Sequence, residues 1–358
     1  MEKVYDLHIH FTFDIPLKET VEIFREEFEY TNTEKYCFLS IPYKLHGESV
    51  SLEDTQNLKA LYLKKSFAPN AYAFAGLEYD SEDLSALADS FLRQAKEYFS
   101  VGFDGMKMLE GYPSLLKARK IPLHHKVYHK FYEFMEKNGY PIIMHMANPK
   151  ENWDITKASA DAKAQGRVYD DSYPTKEEIT DQVFKVMQQF PNLKLILAHF
   201  GFFSYDISLA ERFLSYKNTA FDITPGGEQL INMSKEWDKW LPFWVKHQDR
   251  IFYGTDFYAF PKDEKWEISF NRRPKFVRQF LETDKLHDYL GEQFKGVLLD
   301  KSIRDKIYRN NFTNLLGEPK LVDTAYMLNT AKKLSLKSEH KSLYAKEDAE
   351  FIMNNLKD

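Results

Sequence analysis

Cysteine is almost missing from this chain. Cys37 stands alone, which excludes an internal disulfide framework and points to a reducing compartment. An excess of basic residues is missing too. Lys and Arg number 49 against 54 Asp and Glu, a net charge of −5, so phosphate neutralisation has no basis and no nucleic-acid partner is expected. Charges interrupt every hydrophobic stretch before it reaches membrane-spanning length, and no membrane association is expected. No basic region followed by an apolar one opens the sequence, and histidines already stand at positions 8 and 10. A cytoplasmic protein is the expectation. No G-x-G-x-x-G follows the first strand-like run, which argues against an open dinucleotide-binding sheet.

Apolar and aromatic residues are plentiful: 43% of the 358 residues are hydrophobic and 16% aromatic. That is enough to bury a large core. Eight short β-rich runs recur, at 4–10, 35–41, 71–79, 103–109, 141–146, 193–199, 219–223 and 250–256. Between them lie stretches of helical period, such as 17–30, 82–99, 126–137, 177–190, 206–216 and 234–246. Alternation of this kind predicts repeated βα units and a closed α/β barrel, the (β/α)₈ TIM fold. Two insertions interrupt it, at 44–66 and at 147–175 after the fifth strand; the second is polar and reads as a lid over the catalytic face. After Gly317-Glu318-Pro319 the chain reads as charged, amphipathic helix. The expected organisation is a barrel over residues 1–318 and a helical extension over 319–358, packed on the barrel or on a second subunit of a homodimer.

Four of the runs end in residues that bind metals: Asp6-Leu7-His8-Ile9-His10, Ile143-Met144-His145, Leu197-Ala198-His199 and Gly254-Thr255-Asp256. His8 and His10 are two apart on a strand and face one way, so both imidazoles can reach one ion. Each feature also has a plainer explanation. Hydrogen-bonded core histidines would account for the first three, and a helix N-cap for Asp256. Together they favour a divalent metal at the mouth of the barrel, because strand C-termini in such a fold converge on one face.

These segments resemble the amidohydrolase superfamily, and within it the amidohydrolase-related branch that contains relatives of aminocarboxymuconate-semialdehyde decarboxylase. The resemblance also takes in Gly102-Phe103-Asp104-Gly105-Met106-Lys107-Met108 and Ile307-Tyr308-Arg309-Asn310-Asn311-Phe312, and spans roughly residues 4–317. It implies that His8, His10, His145 and Asp256 ligate one divalent ion, zinc or alternatively manganese, with His199 and Asp256 acting on water or substrate. Lys107 would bind substrate through its charge; a second metal bridged by a carboxylated Lys107 is the less favoured alternative. Arg167, Tyr169 and Tyr173 in the lid are the expected substrate donors.

The implied activity is hydrolysis of a small ester, lactone or amide through a metal-activated water. Non-oxidative decarboxylation of an unsaturated or aromatic acid could use the same ligands. A phosphoesterase of the polymerase-and-histidinol-phosphatase type also opens on a D-L-H-x-H-like strand, yet Asp256-Phe257-Tyr258 lacks its late histidine. A non-catalytic barrel would have no need of all five positions. Glu78 reads as a substrate contact or a structural hydrogen bond, Pro225-Gly226-Gly227 as a backbone wall or a turn, and His124, His125 and His129 as solvent-facing.

Overall fold

A computed structural model describes residues 1–46, 49–52, 55–225, 229–260 and 264–356. Nine parallel strands form one curled sheet. They are β1 (Val4–Phe11), β2 (Thr33–Leu39), β3 (Ala71–Gly76), β4 (Gly105–Gly111), β5 (Ile142–Met146), β6 (Leu195–Leu197), β7 (Thr219–Asp222), β8 (Ile251–Phe252) and β9 (Phe257–Ala259). Spatial order runs β8-β7-β6-β5-β4-β3-β2-β1-β9, so neighbours in sequence are neighbours in space. All eight expected runs carry a strand. The last carries only the short β8, which pairs with β7; β9 follows just beyond that run and pairs with β1. The segment 253–256 therefore joins the two edges of the sheet, and Leu7 N–H donates to Tyr253 O across the join (3.1 Å).

Inward-facing residues form a small apolar layer of Leu7, Cys37, Leu39, Tyr72, Phe74, Ile143, Ile196, Ala220 and Phe252, with Phe312 also packed into it. Phe312 is carried by the helix Asn311–Leu316, and Asn311 Nδ2 donates to the carbonyls of Gln248 and Ile251, both 2.8 Å. The asparagine of the Ile307–Phe312 motif thus holds β8 in place. A much larger apolar cluster lies between the strands and their helices. Along β1 the pairing with β2 is irregular between Asp6 and Ile9. Leu7 belongs to the inner layer, and the irregularity turns His8 and His10 inward above it; bulges commonly re-aim side chains in this way beside functional sites.

Two hairpins and a helix were not foreseen. The first insertion contains an antiparallel hairpin, Tyr43–His46 with Ser49–Leu52, followed by a helix, Gln56–Ser66. A second hairpin, Leu286–Tyr289 with Glu292–Lys295, lies late in the chain. The extension after Pro319 forms helices Thr324–Ser335 and Ala345–Asn355 that pack on each other and against the helices Gln56–Ser66 and Leu17–Thr31. Its Asp348 receives Lys59 Nζ (2.7 Å) and Leu17 N–H (2.6 Å), with Lys59 and Asp348 almost fully buried. Lys59→Met leaves a buried carboxylate without its cation. Urea unfolding should show a loss of about 3–5 kcal/mol in a single transition if the extension and the sheet with its helices unfold together. Among the described residues no helix is long and apolar enough to cross a membrane.

Candidate metal centre

Above the apolar layer lies a cluster of buried polar side chains: His8, His10, Lys107, His145, His199, Asp222 and Asp256, each 9% exposed or less. Three of them form a compact group. One ligand atom each of His8, His10 and Asp256 lies within 4.8 Å of the others; Asp256 Oδ1 is 3.5 Å from His8 Nε2 and 3.7 Å from His10 Nε2.

The far side of each ring sets its tautomer. His8 Nδ1 meets Asp222 Oδ2 at 2.7 Å, and His10 Nδ1 meets Leu39 O at 2.9 Å. Both partners accept only, so both Nδ1 atoms carry hydrogen. In the neutral rings each Nε2 then carries a lone pair, and the two Nε2 atoms face each other at 3.0 Å, with Lys107 Nζ 3.2 Å from that of His8. Burial holds both imidazoles well below their ordinary pKa, so they are neutral at pH 7. Two facing lone pairs repel unless a cation or a proton lies between them. Imidazole and carboxylate donors of this kind, with rear nitrogens tied to acceptors, suit a divalent transition metal, and the group could hold one.

Asp256 is held from both ends. Its backbone is left-handed at φ 52°, and its N–H donates to His8 O (2.9 Å). Arg273 Nη1 donates to Asp256 O and to Oδ2, the latter at 2.8 Å. One carboxylate oxygen is thus occupied and Oδ1 is left toward the histidines. Burial pushes the Asp256 carboxyl up to about 6, against the lowering effect of Arg273. Asp6 ties β1 to the same corner, accepting from His8 N–H (2.9 Å) and from the Thr255 hydroxyl (2.5 Å).

His199 does not close a strand, contrary to expectation. β6 stops at Leu197, and His199, Phe200 and Gly201 follow with φ of 54°, 55° and 58°. A left-handed run costs roughly 1–2 kcal/mol per non-glycine residue. Asp222 compensates: its Oδ1 accepts from His199 N–H (2.8 Å) and from the Thr224 hydroxyl (2.6 Å). Since that hydroxyl proton points at Asp222, Thr224 Oγ1 must accept from His199 Nδ1 (2.9 Å). His199 Nε2 is therefore the lone pair, in a ring that lies beside those of His8 and His145.

His145 stands apart from the compact trio. Its Nε2 donates to Ala147 O at 2.9 Å, so its lone pair is on Nδ1, and burial lowers its pKa to about 3. Lys107 is inside the cluster. Its Nζ lies 3.2 Å from His8 Nε2, and burial pulls its pKa down to about 8. In the insertion 147–175, Tyr169 is buried and accepts from Asn148 Nδ2 (2.5 Å). Arg167 is close enough for its charge to act on His145, Asp256 and Tyr258. Tyr173 is one step further out, packed on Tyr169 and capped by Lys117 Nζ at 4.0 Å.

Sequence reasoning missed Asp222, Thr224 and Arg273. Asp222 left a faint signal, a carboxylate at the end of an apolar run; Arg273 left none. Glu78 proves structural, with Asn57 Nδ2 donating to its Oε1 at 2.9 Å. The three outer histidines are half-buried rather than solvent-facing, and His125 caps a helical turn by accepting from Val127 N–H. Gly226 and Gly227 lie outside the described residues.

Asp222→Asn should keep the fold's packing while placing an amide where His8 Nδ1 needs an acceptor. An N–H facing that nitrogen forces the proton onto Nε2 and removes the lone pair. Metal titration should show affinity lowered about 10–100-fold; unchanged affinity would refute the tautomer argument.

A family model described as "Amidohydrolase" matches residues 47–317. The match begins after β1, so it includes His145, His199 and Asp256 but not His8 and His10. Comparison with curated proteins gives no match. Among solved structures, a 2,6-dihydroxybenzoate decarboxylase from Rhizobium is similar at 17% identity, covering 88% of this chain and 99% of that one, with a TM-score of 0.50. The structure of an amidohydrolase II shares 15% identity over 88% of this chain and 100% of that one, with a TM-score of 0.53. At such identities the likeness concerns the fold.

Proposed function

We propose that this chain, which belongs to the amidohydrolase family, is a metal-dependent enzyme that hydrolyses a small ester, lactone or amide bearing a carboxylate. The observation that carries the reading is the convergence of His8, His10 and Asp256 on one point with their other polar atoms already engaged. The curled parallel sheet, with its two edges joined through residues 253–256, supports a closed (β/α)₈ barrel with this site at its C-terminal mouth.

His8, His10 and Asp256 would hold the ion through Nε2, Nε2 and Oδ1, and His145 would add Nδ1. When bound, a divalent ion supplies polarisation of a substrate carbonyl and a water acidic near pH 7; zinc or manganese would serve. His199 Nε2, the lone pair of a ring oriented by Thr224 and Asp222, takes the proton from the attacking water. Asp222 keeps that tautomer while fixing His8 through its other oxygen. Arg167, Arg273 and Lys107 surround the site with positive charge, which favours an anionic substrate. Tyr169 and the residues around Arg167 would exclude water from above.

A second reading is decarboxylation of an aromatic acid. It is favoured by the aromatic walls, where Tyr258 packs against His10 (4.8 Å between ring centres) and Phe202 stacks on His199 (5.3 Å). The solved Rhizobium relative is a decarboxylase of such an acid, 2,6-dihydroxybenzoate. One experiment decides. The protein loaded with zinc or manganese is screened against carboxylate-bearing esters, lactones and amides and against hydroxylated benzoates, with acid release and CO₂ release both recorded. Acid release without CO₂ is expected; CO₂ from a benzoate would replace the first reading by the second, and neither product would contradict both.

A further inference from the structure

Lys176 is a strange residue to find where it is. It occupies the first position of the helix Lys176–Gln189, after the Thr175 cap and its capping box with Glu178. A cation there opposes the helix dipole, which favours negative charge at an N-terminus. It is also 2% exposed, and burial pulls its pKa down to about 7. Among the described residues no carboxylate lies within ion-pair distance of its Nζ. Glu151 and Glu177 favour its charge from further off, and Lys150 opposes it. An apolar residue would fill the same space without either cost.

What the ammonium does is donate to Asn148 O at 2.9 Å, across 28 residues of sequence. Asn148 and Lys176 are the two ends of the excursion between β5 and that helix. Inside the excursion, Tyr169 N–H donates to Asn152 O (2.8 Å) and Trp153 Nε1 to Pro174 O (3.1 Å). Asn148 is itself buried, its Nδ2 donates to Tyr169 OH, and its side chain bears on His145. The Lys176 Nζ also lies 5.3 Å from the ring centre of Phe202, the ring that packs against both His145 and His199.

We infer that Lys176 is a positioning residue, a clasp that pins the two ends of the 148–176 excursion together through the Asn148 carbonyl and so holds Asn148 and Tyr169 in place beside His145. The inference concerns the conformation of the excursion and does not depend on which reaction the site performs.

The test compares wild-type protein with Lys176→Met, which keeps the length and removes the donor, and Lys176→Arg, which keeps a donor. Native-state trypsin cleavage at Lys157, Lys163 and Arg167 reports opening of the excursion, and thermal unfolding reports the fold. Lys176→Met should melt within a few degrees of wild type, since relief of a buried charge offsets the lost hydrogen bond. Its cleavage within the excursion should be faster by about tenfold, as expected for loss of one buried hydrogen bond. Lys176→Arg should fall between the two. Cleavage of Lys176→Met within twofold of wild type would overturn the clasp. So would Lys176→Arg opening as fast as Lys176→Met, because the donor would then be irrelevant. Failure of Lys176→Met to fold would overturn it as well, by making Lys176 a general structural residue.

Discussion

His199→Ala should lower turnover by about 10²–10⁴-fold, the usual worth of a positioned acid or base, while the protein keeps most of its metal. The ring nitrogen that faces the cluster is an unprotonated Nε2, because Thr224 receives the Nδ1 hydrogen and passes its own to Asp222. Alanine deletes that lone pair and nothing from the compact trio. The left-handed turn should survive, since its anchor is the His199 backbone N–H on Asp222 Oδ1, which alanine retains. Thermal unfolding should therefore change little, and kcat should fall with KM nearly constant. If the variant instead lost metal as completely as a change in the trio, His199 would be a ligand.

A larger effect should follow from His8→Ala or His10→Ala. Each removes one imidazole nitrogen from a group of three donor residues, so metal content after dialysis should fall to a small fraction of wild type and turnover with it. The two variants should differ in a second respect. His8→Ala strands Asp222 Oδ2 and removes the neighbour of Lys107 Nζ, leaving a buried carboxylate oxygen without its donor. His10→Ala frees only the carbonyl of Leu39. Melting temperature should fall further for His8→Ala. Equal metal retention by either variant and wild type would contradict the site.

Most of the parallel sheet is legible in the sequence because strands buried on both faces read as nearly unbroken apolar runs. Pro141–Met146 and Leu193–Leu197 are plain examples. The break after β8 and the restart at β9 are not legible. Gly254-Thr255-Asp256 has no breaker stronger than a glycine, and its geometry comes from Asp6, Arg273 and the His8 carbonyl, all distant in sequence. His199 shows the same limit: an apolar run ending in histidine predicts a strand end, but a carboxylate on the next strand stabilises a left-handed turn there. The five metal-competent residues His8, His10, His145, His199 and Asp256 could be found because four such runs end in them. Their supports could not, since Asp222 is one polar residue in Thr-Ala-Phe-Asp and Arg273 comes from a helix seventeen residues beyond its partner. His145 lies outside the compact trio for a similarly local reason, the hydrogen bond of its Nε2 to Ala147 O.

The central claim, that His8, His10 and Asp256 form a divalent-metal site, is tested most directly by elemental analysis of the purified protein after dialysis against metal-free buffer and reloading with zinc or manganese. About one equivalent per chain is predicted for wild type, as for a single imidazole–carboxylate site, with loss of that equivalent in His10→Ala. A wild-type protein that retains no divalent metal under these conditions, or a His10→Ala variant that retains as much as wild type, would contradict it.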